Sequence, residues 1–472
     1  MSRIKSISIA FLMPIICTVV YLILKRVNIF DINILNSIWN DELFYYKQIE
    51  AIINYGHPLG NWGFNESSSI YGNFAAWNPT VLAPISLFGK LFGLNRWTPV
   101  IFNLFVWGIA FVDLSTLIKK EEKKLVWLGF LFVSYNVSIR YIFSSMSESM
   151  ITAFVVMLLC SIIKAERIKK TKYRILCCTM IVILSAMRGY YAAFLIILLT
   201  LCIMQRKYAE AICYSFFIGL SIIGFLIINH YFTAEYITPI FDVSVLFNPS
   251  KLFTNLIIGA NQTFILIKSA FLLESSKGLF YVGYVFLGIL QLIRVFKKKN
   301  PQQIMIFITW LVLLLSMWSL YNAQEGSRHL MPIAMAGLLV EMLLLRSKYV
   351  RLLIIGVLFI LSWFSRDKEF SVLPLNNDYS NEVELSDVIT TGASDWDNTI
   401  IWIYPDEFRG LYTLPCGFGV NCCTEDWVKE NIDSLHSKYI LVDKNSESYL
   451  LCYKRGYNEV VSNSNLAIYE LR

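Results

Sequence analysis

The chain has 472 residues, of which 56% are hydrophobic and only 16% charged, with a formal net charge of +7 and a mean hydropathy of +0.55. Soluble globular domains are far more polar, so the composition excludes one and describes a polytopic membrane protein. The cations fall in short Lys/Arg clusters between apolar runs, without interleaved aromatics, which gives no sign of a nucleic-acid partner.

A membrane-spanning helix needs about 20 mostly apolar residues. The first such run, 6–24, follows Arg3 and Lys5 and has no small-residue cleavage site, so it reads as an uncleaved anchor with a cytoplasmic N-terminus. Residues 27–98 contain no clear span. They offer an amphipathic helix over 41–55, apolar at Leu43, Ile49, Ile52 and Ile53, then a Gly/Asn/Ser-rich stretch over 56–75. Trp77-Asn78-Pro79-Thr80 opens a second short apolar helix, and both helices suit the membrane interface better than a crossing.

Ten more runs follow, at 99–118, 125–143, 149–166, 174–187, 190–204, 211–232, 279–296, 303–321, 329–345 and 350–365, which makes eleven expected spans. A cytoplasmic N-terminus places the basic clusters at 119–124, 164–174, 205–207, 294–299 and 346–351 on the inner side, as the positive-inside rule requires. By parity the first loop, the segment 233–278 and everything after 366 are extracytoplasmic, in a membrane of the bacterial inner or plasma type.

The tail turns abruptly to a soluble pattern, with strands expected at 400–404 and 438–443, a helix near 424–434 and a hairpin near 457–471. The expected architecture is therefore a polytopic α-helical membrane domain over 1–365, with interfacial helices in its first external loop, and a small extracytoplasmic α/β domain over 366–472. The glycines of Cys416-Gly417-Phe418-Gly419 neither follow a strand directly nor open a helix, so no phosphate-binding loop is read there. Six of the ten cysteines lie in apolar runs, and no paired spacing suggests zinc. For Cys416, Cys422, Cys423 and Cys452 in the tail, a disulfide and unpaired packing are both open.

Ionisable residues in or beside spans are costly, and each is a functional hypothesis by default. On the expected outer side these are Asp41, Glu42, Glu148, Arg188, Glu325, Arg328 and His329, from segments far apart in sequence. An acid near two arginines is what a reaction with an anionic leaving group requires: the carboxylate takes a proton from an acceptor hydroxyl while guanidinium groups stabilise a departing phosphate. Each residue also has a plainer role. Asp41 suits the cap of the helix it opens, Glu42 the positive end of that helix, Arg188 a snorkelling position, and His329 a packed, hydrogen-bonded one.

The order of Trp39-Asn40-Asp41-Glu42 with Tyr45-Tyr46, then Asn78-Pro79-Thr80, then Arg188 between two spans, then Ser327-Arg328-His329-Leu330-Met331-Pro332 resembles the C-type (GT-C) glycosyltransferases. The protein O-mannosyltransferase and aminoarabinose-lipid A transferase relatives are the most similar subgroup. The resemblance implies a membrane enzyme that moves a sugar from a polyprenyl-phosphate donor to an extracytoplasmic lipid, glycan or protein. It implies Asp41 as the catalytic acid-base residue with Glu42 beside it, and Arg328 at the lipid phosphate, joined by Arg188 and His329. Glu148, Tyr45, Tyr46, Trp77 and Glu325 are candidates for acceptor contact or support of the site. Asn78-Pro79-Thr80 stands where relatives often have His-Pro-Pro, and Glu148 where an Asp is common, so the sugar and acceptor stay open. No cofactor is required by this chemistry, and a divalent metal is left open. The rival readings are a multi-span transporter or lipid flippase, which would show internal repeats and broken spans at the midplane, and a surface-polysaccharide polymerase or ligase.

Overall fold

A computed structural model describes residues 3–32, 34, 41–59, 62–66, 78–118, 123–232, 243–298, 300–320, 326–366, 385, 389, 392, 394, 396–404, 411, 413–462 and 466–471. Two compact units divide the chain, one of residues 1–30, 99–226 and 239–373, the other of residues 31–98, 227–238 and 374–472.

The first unit is a bundle of helices. Among the described residues six helices are long and apolar enough to cross a membrane. Four of them are α1 (Arg3–Lys25), α4 (Thr98–Ser115), α7 (Glu148–Ile168) and α10 (Tyr208–Phe232), and the other two are α12 (Leu279–Lys298) and α13 (Pro301–Leu320). The five other expected crossings fall on shorter or interrupted helices. These are α5 (Lys123–Ser134) with α6 (Val137–Ile142), α8 (Thr171–Met187), α9 (Leu195–Met204), α14 (Met331–Leu344) and α15 (Lys348–Phe364). Arg188 takes an extended conformation at the end of α8, a 3-10 turn over Gly189–Phe194 follows, and Pro332 sits in the first turn of α14.

Charged residues inside the bundle gather at helix ends and are paired there, as a low-dielectric surrounding demands. Arg174 at the start of α8 grips Glu210 at the start of α10 through Nε–Oε2 (2.6 Å) and Nη2–Oε1 (2.8 Å). Glu341 near the end of α14 accepts from Gln291 Nε2 at 2.7 Å and pairs with Arg294, both near the end of α12. Lys164 near the end of α7 pairs with Asp113 near the end of α4.

The segment 233–278, expected as a loop, contains a helix, α11 (Pro249–Phe271). Its apolar average is diluted by Asn255, Asn261, Gln262, Lys251 and Lys268, which hid it from a search for spans. One face is buried at Gly259, Thr263, Leu266 and Ala270, while Phe253, Ile257, Phe264 and Ile265 on the other are exposed. Two of its hydrogen-bond partners sit at one end of α13. Asn255 Nδ2 donates to the Ser319 carbonyl at 2.9 Å, and Trp318 Nε1 donates to Thr263 Oγ1 at 2.9 Å, both near the end of α13. Near the start of α12, a Cβ at Gly278 would collide with the Leu266 carbonyl oxygen, so only glycine allows this approach.

The second unit is built on a six-stranded sheet in the order β1-β3-β2-β4-β6-β5. Its strands are β1 (Trp62–Phe64), β2 (Thr399–Tyr404), β3 (Gly419–Thr424), β4 (Tyr439–Asp443), β5 (Asn458–Ser462) and β6 (Leu466–Glu470). β1, β3, β2 and β4 run parallel, and β6 pairs antiparallel with both β4 and β5. Parallel strands buried on both faces read as unbroken apolar runs, as Ile400-Ile401-Trp402-Ile403 does. Ile400 and Trp402 enter one core cluster with Tyr439 and Leu441, whereas Ile401 and Ile403 enter the opposite one with Ile440 and Val442. Two short helices, α16 (Glu425–Asn431) and α17 (Glu447–Lys454), are capped by Thr424 and Ser446 through their hydroxyls.

The described residues of 31–98 belong to this second unit: β1 extends its sheet, and α2 (Asp41–Tyr55) enters its core through Leu43. The remaining described part of that loop is a 3-10 turn over Pro79–Val81 and α3 (Ala83–Phe92). Asn78 caps the turn, its Oδ1 accepting from the Thr80 N–H at 3.0 Å and the Thr80 hydroxyl at 2.7 Å. All four tail cysteines are free thiols. Burial pushes those of Cys416, Cys423 and Cys452 up to about 12, with the Glu50 carboxylate adding to the effect at Cys416, so they stay protonated at neutral pH.

Candidate functional site

The helical unit brings four of the expected residues together at one end of the bundle. Glu148 opens α7, where the helix terminus favours a negative charge. Arg188 closes α8, and Arg328 and His329 lie in the 3-10 turn Gly326–Leu330 that leads into α14. α7 packs against both α8 and α14, which is why residues 40 and 180 positions apart meet.

Glu148 is fully buried and Arg188 nearly so. Arg188 Nη2 donates to Glu148 Oε1 at 2.8 Å and to Ser147 Oγ at 3.0 Å. Its Nη1 donates to Tyr190 Oη at 3.4 Å and to His329 Nδ1. A guanidinium can only donate, so His329 Nδ1 accepts and the imidazole carries its proton on Nε2. His329 is thus a neutral partner of Arg188 and not a second cation on Glu148. Arg328 Nε stands 3.8 Å from Glu148 Oε1, and its side chain is 13% exposed against 7% for Arg188.

One carboxylate here faces two guanidinium groups and a neutral imidazole. Glu148 Oε1 takes up the contacts with Arg188 and Arg328, while Glu148 Oε2 is buried without a hydrogen-bond partner. Such an arrangement orients Arg188, and guanidinium groups held this way suit an anion with several oxygens, such as a phosphate.

Two residues not foreseen from the sequence hold Glu148 in place. Asn103, buried in α4, donates from Nδ2 to the carbonyls of Tyr141 (3.3 Å), Ile142 (3.1 Å) and Ser144 (2.9 Å), fixing the turn that precedes α7. Trp107 Nε1 donates to Ser149 Oγ at 3.0 Å one turn further along α4. An asparagine inside an apolar run is itself costly, and that was the signal for Asn103. Arg140, within the equally apolar Val137–Phe143, is also buried and lies over the Tyr141 ring at 5.7 Å. No family model, curated protein or solved structure matches the chain.

The sheet-bearing unit holds Asp41, Glu42, Tyr45, Tyr46 and Trp77, whereas Glu325 falls in the helical unit. Asp41 is the first residue of α2, but its side chain, Trp77 and Glu325 lie outside the described residues. Glu42 is 1% exposed, and Tyr45 and Tyr46 are 3% and 4% exposed. Rings buried to this degree pack α2 and present no open stacking face. Among the described residues no group of three or more His, Cys, Asp or Glu is placed to hold a metal ion.

Proposed function

We propose that the protein is an integral membrane glycosyltransferase that transfers a sugar from a polyprenyl-phosphate donor to an extracytoplasmic lipid, glycan or protein. The observation that carries this reading is the Glu148–Arg188–Arg328–His329 cluster, two guanidinium groups gathered around one carboxylate at the end of a helical bundle, at the side that the basic clusters assign to the outside. The full topology of eleven crossings, with the shorter helices spanning alongside the six long ones, belongs to the same proposal.

In this mechanism Asp41 acts as general base on the acceptor hydroxyl, whose oxygen attacks the anomeric carbon in a single inverting displacement. The bond to the carrier phosphate breaks, and the negative charge that develops on the phosphate is stabilised by Arg328. Arg188 is held too firmly by Glu148 and Ser147 to move far, so its part is to fix Glu148 and set the field at the cluster. Glu42 and the buried Tyr45 and Tyr46 support the helix that presents Asp41.

Replacing Arg328 by Ala is expected to lower transfer by about a hundredfold, the usual cost of removing one preorganised donor from a developing oxyanion. Membranes containing the wild-type or variant protein, given a polyprenyl-phosphate sugar with a labelled sugar, measure this directly. Unchanged transfer at equal protein level would remove Arg328 from the phosphate site.

A further inference from the structure

The helix that begins at Asp41 and the strand β1 that follows it are both tied to residues of the tail. Leu43, two residues on and 1% exposed, shares a core cluster with Leu385, Ile400, Trp402, Leu411 and Leu441, and Phe44 packs against it. One turn later Lys47 Nζ donates to the Leu414 carbonyl at 2.6 Å and pairs with Glu50 Oε2 at 2.5 Å. Further along, β1 pairs with β3, and the Asn65 N–H donates to the Cys422 carbonyl at 3.1 Å. The Glu66 carboxylate then accepts from the backbone N–H groups of His436 (2.9 Å to Oε2) and Ser437 (2.6 Å to Oε1).

These ties span about 370 residues of sequence, as the separations of 367 for Lys47 and 371 for Glu66 show. A closure of that length is entropically costly and persists only when several contacts act together. Helix ends also fray, because the first four N–H groups have no partner within the helix. The first turn of α2 is the exception, since Leu43 is anchored in a core that belongs to the tail. A carboxylate bridging two backbone N–H groups is likewise a strong, directional latch.

We propose that the C-terminal sheet is the scaffold that fixes the first turn of α2, with Leu43 as a positioning residue for the carboxylate of residue 41 and Glu66 as the second anchor of the loop. The catalytic consequence rests on reading Asp41 as the base; the scaffold itself does not. The tail is thereby given a role in the transfer reaction without touching substrate.

The test uses full-length protein in nanodiscs, with hydrogen exchange followed by mass spectrometry and transfer from a labelled polyprenyl-phosphate sugar followed in parallel. Leu43→Ala is expected to speed exchange at the amides of residues 45–48, the first that pair with the first-turn carbonyls of α2, about tenfold or more. It should lower kcat about tenfold, because misplacement of a catalytic group acts on the chemical step, while the donor KM moves by less than about twofold. Leu43→Met, which conserves volume, should restore both. If Leu43→Ala does not accumulate, Glu66→Ala reads the other anchor, with faster exchange expected over β1. Exchange that stays at the wild-type rate in either variant overturns the scaffold. Faster exchange with wild-type kcat supports the scaffold and overturns the assignment of residue 41 instead.

Discussion

Asp41→Asn is expected to lower sugar transfer by about 10²- to 10⁴-fold while leaving the protein folded and membrane-inserted, because the amide keeps the shape of the carboxylate but cannot take a proton. Asn is also a good helix cap, so the first turn of α2 should keep its stability. The substitution therefore separates the two roles that residue 41 can play. A pure cap would show near-normal turnover in the Asn variant. Glu42→Gln is the internal control: Glu42 is 1% exposed within the unit, so its loss should act on stability more than on the transfer step. The measurement is initial transfer velocity in membranes, normalised to protein level, with thermal stability of the purified variants alongside.

The second large effect is expected at Glu148. Removing it by Glu148→Ala leaves the Arg188 guanidinium buried beside Ser147, Tyr190 and His329 without the carboxylate 2.8 Å away. Breaking one side of a buried ion pair costs about 3–5 kcal/mol, far more than the pair adds over a well-packed apolar replacement. The double variant Glu148→Leu with Arg188→Met should therefore recover most of the stability that the single variant loses. Transfer should stay low in both, because Arg328 loses the group 3.8 Å away that orients it. Thermal denaturation of detergent-solubilised protein, followed by size-exclusion recovery, gives the stabilities. A single variant as stable as wild type would mean that the cluster is solvated and not the dry, preorganised site described above.

Much of the helical unit was legible in the sequence because its signal is local. Apolar runs separated by Lys/Arg clusters mark the helices of the bundle, and in the other unit Ile49, Ile52 and Ile53 on one face mark α2. Where the signal is diluted, it fails. α11 carries five strongly polar residues in its 23 and reads as loop, although its buried face has clear helical spacing. Strands β2 and β4 announced themselves by unbroken β-branched and aromatic runs, but β1 is three residues long and has no pattern of its own. It is a strand only because β3 lies beside it, and that partnership is a tertiary fact that no window of sequence contains.

The site divides in the same way. That Glu148, Arg188, Arg328 and His329 matter follows from the cost of ionisable groups beside apolar helices. That Arg188 is engaged with Glu148, and therefore positions the cluster, depends on contacts 40 and 141 residues distant in sequence. Asn103 shows a signal present but overlooked. Its place inside α4 was as informative as that of any charged residue, and three carbonyls converge on it.

The central claim is that this protein transfers a sugar outside the cytoplasm. Mass spectrometry of surface glycans and lipids from cells with the gene, without it, and carrying Asp41→Asn tests it most directly. The account predicts one product that lacks a sugar of defined mass in the deletion, is restored by the wild-type gene and is not restored by the Asn variant. Identical glycans and lipids in all three, with the protein present in the membrane, would contradict it.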